Sequence, residues 1–140
     1  MFGDNPPEKR NVRGARWNPP EVEALYVSLD PQTALAEAEH LIESQPLRPM
    51  ARRTLYRLQI VLPAVVDLTG AGVLSTLGVD EADISSDDYS ACQAVGAAAI
   101  FLHLDGMIVP SARSPGHNIV VLFGGTRVAP TVEVLDSSTV

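Results

Sequence analysis

The clearest alternation of hydrophobic and polar positions runs from Glu23 to Leu29 and predicts a β-strand. In a strand, successive side chains point to opposite faces of the sheet. One face would carry Leu25, Val27 and Leu29, and the other Ala24, Tyr26 and Ser28. Tyr26 is therefore expected on the face opposite the larger aliphatic side chains.

A helix is predicted directly after this strand. Asp30 is a good N-cap, Pro31 suits the first helical position, and the residues from Thr33 to about Ser44 have high helix propensity. The apolar positions fall on one stripe of the helix, made of Ala34, Leu35, Ala38, Leu41 and Ile42. Glu37 lies at the edge of that stripe, so we expect it where the helix meets the body of the protein, near Tyr26.

The remaining pattern predicts short strands and one further helix. Strands are expected over Leu55–Leu62, with Val65–Leu68 as its continuation after Pro63, and over Met107–Val109, Ile119–Phe123 and Thr131–Leu135. A helix is expected from Tyr89 to about Leu104, ending before Gly106, with its small residues packed against a sheet. Because strands and helices do not alternate regularly, the pattern favours an α+β fold, a single compact domain with a mixed or antiparallel sheet and flanking helices.

The two ends of the chain show little periodicity. Residues 1–12 are polar and rich in proline, and they are interpreted as an irregular lead-in. The domain itself is expected over residues 13–136. Residues 137–140 are interpreted as a short polar tail.

Composition narrows the function classes. The 140-residue chain has a net charge of −7, which argues against nucleic-acid or anionic-membrane binding. Eight of its ten basic residues lie between Lys9 and Arg57, which favours a local anion site. The single cysteine, Cys92, excludes an internal disulfide and a cysteine metal cluster. No secretory signal or membrane-length apolar run is visible, so we expect a cytoplasmic protein that does not contact membranes.

Motifs for common chemistries are weak. The sequence has no phosphate-binding glycine loop of standard spacing, and His40, His103 and His117 lack zinc-site spacing, so no metal is expected. Ser111 lacks the flanking glycines of a hydrolase nucleophile, which disfavours a triad with either of the last two histidines.

Two segments are more suggestive. Residues 13–20, RGARWNPP, could hold a guanidinium for phosphate recognition, although the residues alone favour a solvated basic turn anchored in the core by Trp17. Residues 110–113, PSAR, could present the Ser111 hydroxyl and backbone amides to a ligand. Neither segment identifies a function by itself.

Three segments taken in order resemble the RES family, which is named for its Arg, Glu and Ser signature residues. They are RGARWNPP (13–20), ALYVSLDPQTALAEAEH (24–40) and GMIVPSARSPGHNIVVLF (106–123). The resemblance implies a fold similar to that of ADP-ribosyltransferase toxins. It also implies a toxin that depletes NAD+ by hydrolysis or phosphorolysis, with inorganic phosphate as a candidate co-substrate. The implied partner is an Xre-type helix-turn-helix antitoxin in an oligomeric complex.

The same resemblance implies roles for individual residues. Arg16, Glu37 and Ser111 match the signature and would form the catalytic set, with Arg16 also holding the NAD+ phosphates. Tyr26 would pack beside the nicotinamide, and Trp17 and Asn118 would complete the binding site. The chemistry is consistent, because a carboxylate can stabilise the oxocarbenium-like state while the pyridinium leaves without a general acid.

The chain also departs from the family pattern. Ala15 replaces the second glycine of the usual motif, and Glu21 stands where a glycine often follows the prolines. The usual N-terminal strand with its further arginine is not visible, unless Arg10 or Arg13 substitutes for that arginine. Two alternatives therefore stay open: an ADP-ribosyltransferase that modifies a macromolecule, and a degenerate RES fold that only binds its antitoxin or NAD+.

Overall fold

A computed structural model describes residues 1–4, 6, 9–43, 54–124 and 129–139. Its strands are β1 (Phe2–Gly3), β2 (Ala24–Ser28), β3 (Thr54–Val61), β4 (Val65–Asp67), β5 (Gly106–Pro110), β6 (His117–Leu122) and β7 (Thr131–Thr139). Its helices are α1 (Pro31–Glu43), α2 (Val73–Thr76), α3 (Glu81–Ser85) and α4 (Ser90–Phe101). The strands form one sheet in the order β4-β5-β6-β2-β1-β3-β7.

The sheet is mixed, as the sequence predicted. Strands β4 and β5 pair in parallel, and the other neighbouring strands pair antiparallel. Central strand β2 lies between β6 and β1, in register with β6 through the pair Tyr26–Val120. The α+β prediction for a single domain is therefore confirmed.

The side chains of strand β2 alternate between two hydrophobic clusters, one on each face of the sheet. Leu25 and Val27 pack in a cluster with Leu58. Ala24 is buried in the other cluster, with Tyr26 packed against it and with Trp17 as a member. The predicted assignment of the two faces is confirmed for the residues of β2, whose side chains alternate because of the strand's backbone geometry. It is wrong for Leu29, which follows the end of the strand and is exposed.

Helix α1 begins as predicted. The Asp30 carboxylate accepts hydrogen bonds from the Thr33 backbone N–H at 2.8 Å and from the Thr33 hydroxyl at 2.9 Å. These contacts satisfy a backbone donor that the first helical turn leaves unpaired. Ala34 and Ala38 are buried, whereas His40 is exposed. The prediction that Pro46 and Pro49 end this helix lies outside the described residues.

Both ends of the chain differ from the sequence prediction. The lead-in expected over 1–12 contains β1, and Phe2 pairs with Ser28 on one side and Arg57 on the other. Asn11 also bridges Ala24 through two backbone hydrogen bonds of 2.7 and 2.9 Å. The tail expected over 137–140 continues β7 as far as Thr139. These segments are too short or too polar to show a period, and their structure comes from pairing with distant strands.

The second half of the chain requires three further corrections. Helix α3 was not predicted, although Asp80 and Asp83 form a reciprocal capping box at its start. The segment expected to continue β3 past Pro63 is β4, which lies on the far side of the sheet. Gly106 begins β5 and does not stop a helix, because α4 already ends at Phe101.

Fewer of the small residues of helix α4 are buried than the sequence predicted. Cys92, Gly96 and Ala99 are buried. Ala94, Ala97 and Ala98, which were expected to pack against the sheet, are exposed. A Cβ atom placed on Gly96 would lie 1.7 Å from the Trp17 carbonyl oxygen, so the helix packs directly on the main chain of the 15–18 segment.

Candidate active site

A cavity of about 330 Å³ opens between β2, α1 and the loop that carries Arg16. Its lining includes side chains from sequence segments that are far apart: Arg16, Tyr26, Glu37, Tyr89, Arg113 and Asn118. Phe2 and Gly3 of β1 line it as well. The cavity therefore gathers most of the residues that the sequence singled out.

The Glu37 carboxylate is held by two donors. The Ser111 hydroxyl donates to Glu37 Oε1 at 2.5 Å, and the Asn118 side-chain amide donates to the same oxygen at 2.9 Å. Asn118 is fixed in turn, because its Oδ1 accepts a hydrogen bond from the Ser28 hydroxyl at 2.7 Å. Hydrogen bonds to an ionised carboxylate are among the stronger ones in proteins. One carboxylate is thus fixed in position at the cavity wall.

The loop that carries Ser111 is tightly closed. The Ser111 backbone N–H donates to the Gly116 carbonyl at 3.0 Å, and the Arg113 backbone N–H donates to the Ser111 hydroxyl oxygen at 3.0 Å. The Ser114 hydroxyl contacts that of Thr33 on α1 at 2.9 Å. Gly116 has no room for a side chain, since a Cβ there would lie 2.0 Å from Thr33 Oγ1. The loop is therefore fastened to the same helix that carries Glu37.

Arg16 forms a different wall of the cavity. Its Nη1 donates to the backbone carbonyls of Asp83 at 3.1 Å and of Ser86 at 2.8 Å. Its guanidinium carbon lies 4.7 Å from the centroid of the Tyr89 ring. The guanidinium is thereby oriented by α3 and by the segment that joins it to α4, while the side chain still lines the cavity.

Tyr26 is tied to the motif that carries Arg16. Its hydroxyl donates to the Asn18 side-chain oxygen at 2.5 Å and accepts from the Trp17 backbone N–H at 3.0 Å. Burial raises the pKa of the Tyr26 phenol well above its usual value of 10.0, and the backbone N–H groups of Trp17 and Asn18 only partly offset this. The phenol consequently stays neutral over the physiological range and positions the ring.

The turn before β2 contains two residues with positive φ angles, Gly14 and Glu21. Gly14 adopts φ 96°, and a Cβ there would lie 3.1 Å from Pro20. Glu21 adopts φ 77°, a left-handed conformation that glycine tolerates far better than other residues. The departure at Glu21 therefore leaves the turn intact but introduces local backbone strain.

The structure brings Arg16, Tyr26, Glu37 and Asn118 to one cavity, with Ser111 behind Glu37. Trp17 is 2% exposed and belongs to the hydrophobic core, although it borders the cavity. Sequence reasoning did not assign roles to several neighbours of these residues: Asn18, Ser28, Tyr89 and Arg113. Asn18 and Arg113 lie inside the recognised motifs, whereas nothing in the sequence pointed to Tyr89.

Among the residues that the structure describes, no group of three or more His, Cys, Asp or Glu side chains could hold a metal ion. No described helix is long and apolar enough to cross a membrane.

Comparison with known proteins identifies relatives of this chain. NAD(+) phosphorylase MbcT from Mycobacterium tuberculosis and from Mycobacterium bovis is 37% identical over 109 residues, which cover 74% of this chain and 58% of MbcT. A second M. tuberculosis protein, described as a probable NAD(+) phosphorylase, is 36% identical over 77% of this chain and 51% of its own length. The chain therefore spans little more than half of these relatives.

The fold has a relative among solved structures. The crystal structure of the M. tuberculosis MbcT–MbcA toxin–antitoxin complex contains a chain that matches all of this chain with a TM-score of 0.82 and 30% sequence identity. The match covers 81% of that chain. The sequence pattern of the RES domain matches residues 2–139, nearly the whole length. The protein belongs to the RES domain family.

Proposed function

We propose that this protein depletes NAD+ by cleaving the bond between nicotinamide and ribose, with inorganic phosphate as the acceptor. The observation that carries the proposal is the Glu37 carboxylate, fixed by Ser111 and Asn118 at a cavity that Arg16 and Tyr26 also line. The relatives named NAD(+) phosphorylase favour phosphorolysis over hydrolysis.

Glu37 would act on the ribose. When the C1′–N1 bond breaks, its electron pair moves to the pyridinium nitrogen, and nicotinamide leaves neutral without a general acid. The positive charge that develops on the ribose is stabilised by a nearby carboxylate. The two hydrogen bonds from Ser111 and Asn118 both end on Oε1, which leaves Oε2 to face the ribose.

Phosphate then completes the reaction. One of its oxygens attacks C1′, and the products are nicotinamide and ADP-ribose phosphorylated at that carbon. A water molecule in place of phosphate would give ADP-ribose, which is the hydrolytic alternative. A preformed site lowers the barrier for either route by placing the acceptor beside the carbon.

Arg16 and Tyr26 would bind the remainder of NAD+. Arg16 uses Nη1 on the carbonyls of Asp83 and Ser86, so its other nitrogens are suited to a phosphate of the dinucleotide. The Tyr26 hydroxyl already forms hydrogen bonds with Asn18 and Trp17. Tyr26 would therefore pack the face of its ring against the nicotinamide and would not transfer a proton.

The proposed partner is an antitoxin of the Xre helix-turn-helix type, in an oligomeric complex. Support comes from the MbcT chain, whose crystal structure is a toxin–antitoxin complex. A short N-terminal strand, β1, is present where the sequence showed none, which supports an intact RES fold over a degenerate one.

The test is nicotinamide release by purified protein with and without phosphate. We expect release that depends on phosphate and falls by roughly 100-fold or more in Glu37→Gln, since the neutral amide cannot stabilise a cation. The substituted amide oxygen can still accept from Ser111 and Asn118, so the fold should persist. Glu133→Gln, an exposed site on β7, is the matched control and should retain activity.

Three results would contradict the proposal. The first is an unchanged rate of NAD+ cleavage in Glu37→Gln. The second is nicotinamide release at the same rate with and without phosphate. The third is ADP-ribose attached to a macromolecule, which would favour the transferase alternative.

A further inference from the structure

Arg113 is a cavity residue that the signature does not include. It lies two positions after Ser111, is half-buried, and lines the same cavity as Glu37. Its backbone N–H donates to the Ser111 hydroxyl, which in turn donates to Glu37 Oε1. Two hydrogen bonds thus connect the Arg113 main chain to the carboxylate that would face the ribose.

The charge around Arg113 is unusual for this protein. The chain carries 17 acidic and 10 basic residues, yet three cations, Lys9, Arg16 and Arg113, line the cavity beside Asp4 and Glu37. Arg10 and Arg57 each form an ion pair with a carboxylate. Within the described ranges no carboxylate forms such a pair with Arg113, so its charge is available to a ligand in the cavity.

The two arginines of the cavity are attached to different walls. Arg16 is bound to the α3–α4 segment through Asp83 and Ser86, whereas Arg113 belongs to the closed loop that holds Glu37. Because both arginines line the cavity, an anion bound on the Glu37 side lies on the wall formed by the Arg113 loop, and an anion on the opposite side lies on the wall formed by Arg16.

The proposed reaction needs a cation at the first of these positions. The Glu37 carboxylate stabilises the ribose cation but repels an incoming phosphate, which carries between one and two negative charges at neutral pH. Like charges a few ångströms apart repel more strongly at a protein surface than in bulk water. A guanidinium cancels this repulsion and offers a planar pair of N–H donors that fits phosphate oxygens.

We propose that Arg113 binds the attacking inorganic phosphate and orients it toward C1′ of the ribose. The inference rests on the proposed function and assigns one residue of the site to the second substrate. The C1′–N1 bond breaks with its electrons passing to nicotinamide, and a phosphate oxygen held by Arg113 forms the new bond to C1′. Arg113 exchanges no proton and acts by charge and geometry.

The experiment measures KM for each substrate separately in wild type, Arg113→Gln and Arg113→Lys. For Arg113→Gln we expect KM for inorganic phosphate to rise roughly 10- to 100-fold, the range for losing hydrogen bonds to a charged group. KM for NAD+ should be unchanged. Arg113→Lys keeps the charge but loses the paired donors, so its KM for phosphate should lie between the other two.

Two measurements accompany the kinetics. Phosphorus NMR of the products should show a larger share of ADP-ribose in Arg113→Gln, because water competes better when phosphate is held weakly. Arg13→Gln removes one positive charge from an exposed arginine outside the cavity and is the matched control, with both KM values as in wild type. Thermal unfolding of each variant identifies any loss of fold. If Arg113→Gln is unfolded, the KM for phosphate of Arg113→Lys, compared with wild type, decides the test.

The outcomes separate the two proposals. If wild type cleaves NAD+ equally well without phosphate, the proposed function fails, and the assignment of Arg113 fails with it. If wild type requires phosphate but Arg113→Gln raises only KM for NAD+, the residue binds the dinucleotide's own diphosphate and the inference is wrong. An equal rise in both KM values, or no rise in either, also overturns it.

Discussion

Gly96 offers a direct test of how the cavity is supported, because two physical effects at this position have opposite signs. Replacing a helical glycine by alanine ordinarily stabilises a protein by about 1 kcal/mol. In α4, however, the added Cβ would lie 1.7 Å from the Trp17 carbonyl oxygen and 2.9 Å from its carbonyl carbon. Since real Cβ contacts are not shorter than 3.0 Å, the carbonyl must move by more than about 1.3 Å.

The magnitude follows from what that movement disturbs. Overpacking of this kind costs about 1–3 kcal/mol. The same main chain is bound by Tyr26 through the Trp17 N–H, and by Gln93, whose amide donates to the Ala15 carbonyl at 2.9 Å and the Asn18 carbonyl at 3.3 Å. Loss of two such bonds adds about 2 kcal/mol. After subtracting the helix-propensity gain, we expect Gly96→Ala to lower the free energy of unfolding by about 2–4 kcal/mol.

Urea unfolding followed by tryptophan fluorescence measures this quantity, because Trp17 is the single tryptophan of the chain and is buried. Ala97→Gly is the matched control at the exposed neighbouring position, and it should cost only the propensity difference of about 1 kcal/mol. A Gly96→Ala protein as stable as wild type, or more stable, would refute the packing of α4 on the 15–18 segment. We also expect Gly96→Ala to lose the proposed NAD+ cleavage, since Tyr26 and Arg16 are positioned by that segment.

Two further predictions concern the Arg16 motif. Tyr26→Phe leaves the buried Asn18 oxygen and the Trp17 N–H without their partner, so the free energy of unfolding at pH 7 should fall by about 1–3 kcal/mol in urea titrations. Because folding raises the pKa of Tyr26, its stabilising effect is complete below pH 10.0 and declines at higher pH. Wild type should therefore lose stability above pH 10.0 more steeply than Tyr26→Phe, and equal slopes would contradict the buried neutral phenol. Glu21→Gly should raise the thermal unfolding temperature, by relieving the φ of 77° at a gain of up to about 1 kcal/mol, and a lower temperature would show that the turn is not strained.

The sequence predicted those parts of the fold that depend on local physics. The faces of β2 and the start of α1 follow from alternation and from the capping by Asp30, which involve neighbours only. Glu37 was placed at a packed edge for the same reason. These features were accessible without any knowledge of the partner elements.

Contacts between distant segments were not accessible in this way. Ser111 and Asn118 lie 74 and 81 residues from Glu37, and only the family resemblance placed them in one site. The attachment of Arg16 to the carbonyls of Asp83 and Ser86 had no sequence signal, since any residue supplies a carbonyl. The role of β1 was also hidden, because a strand of two residues has no period to detect.

Strand β1 provides the backbone pairing between two parts of the sheet that no other described strand pairs. It is the only described strand between β2, with β6, β5 and β4 beyond it, and the β3–β7 pair. Phe2 and Gly3 also line the cavity. A ligand in the cavity would therefore contact β1, the strand that joins the two parts of the sheet. Its binding free energy would add to the stability of that junction. Amide hydrogen exchange along β3 should consequently slow when a ligand fills the cavity. Exchange in β3 would then measure the occupancy of the cavity.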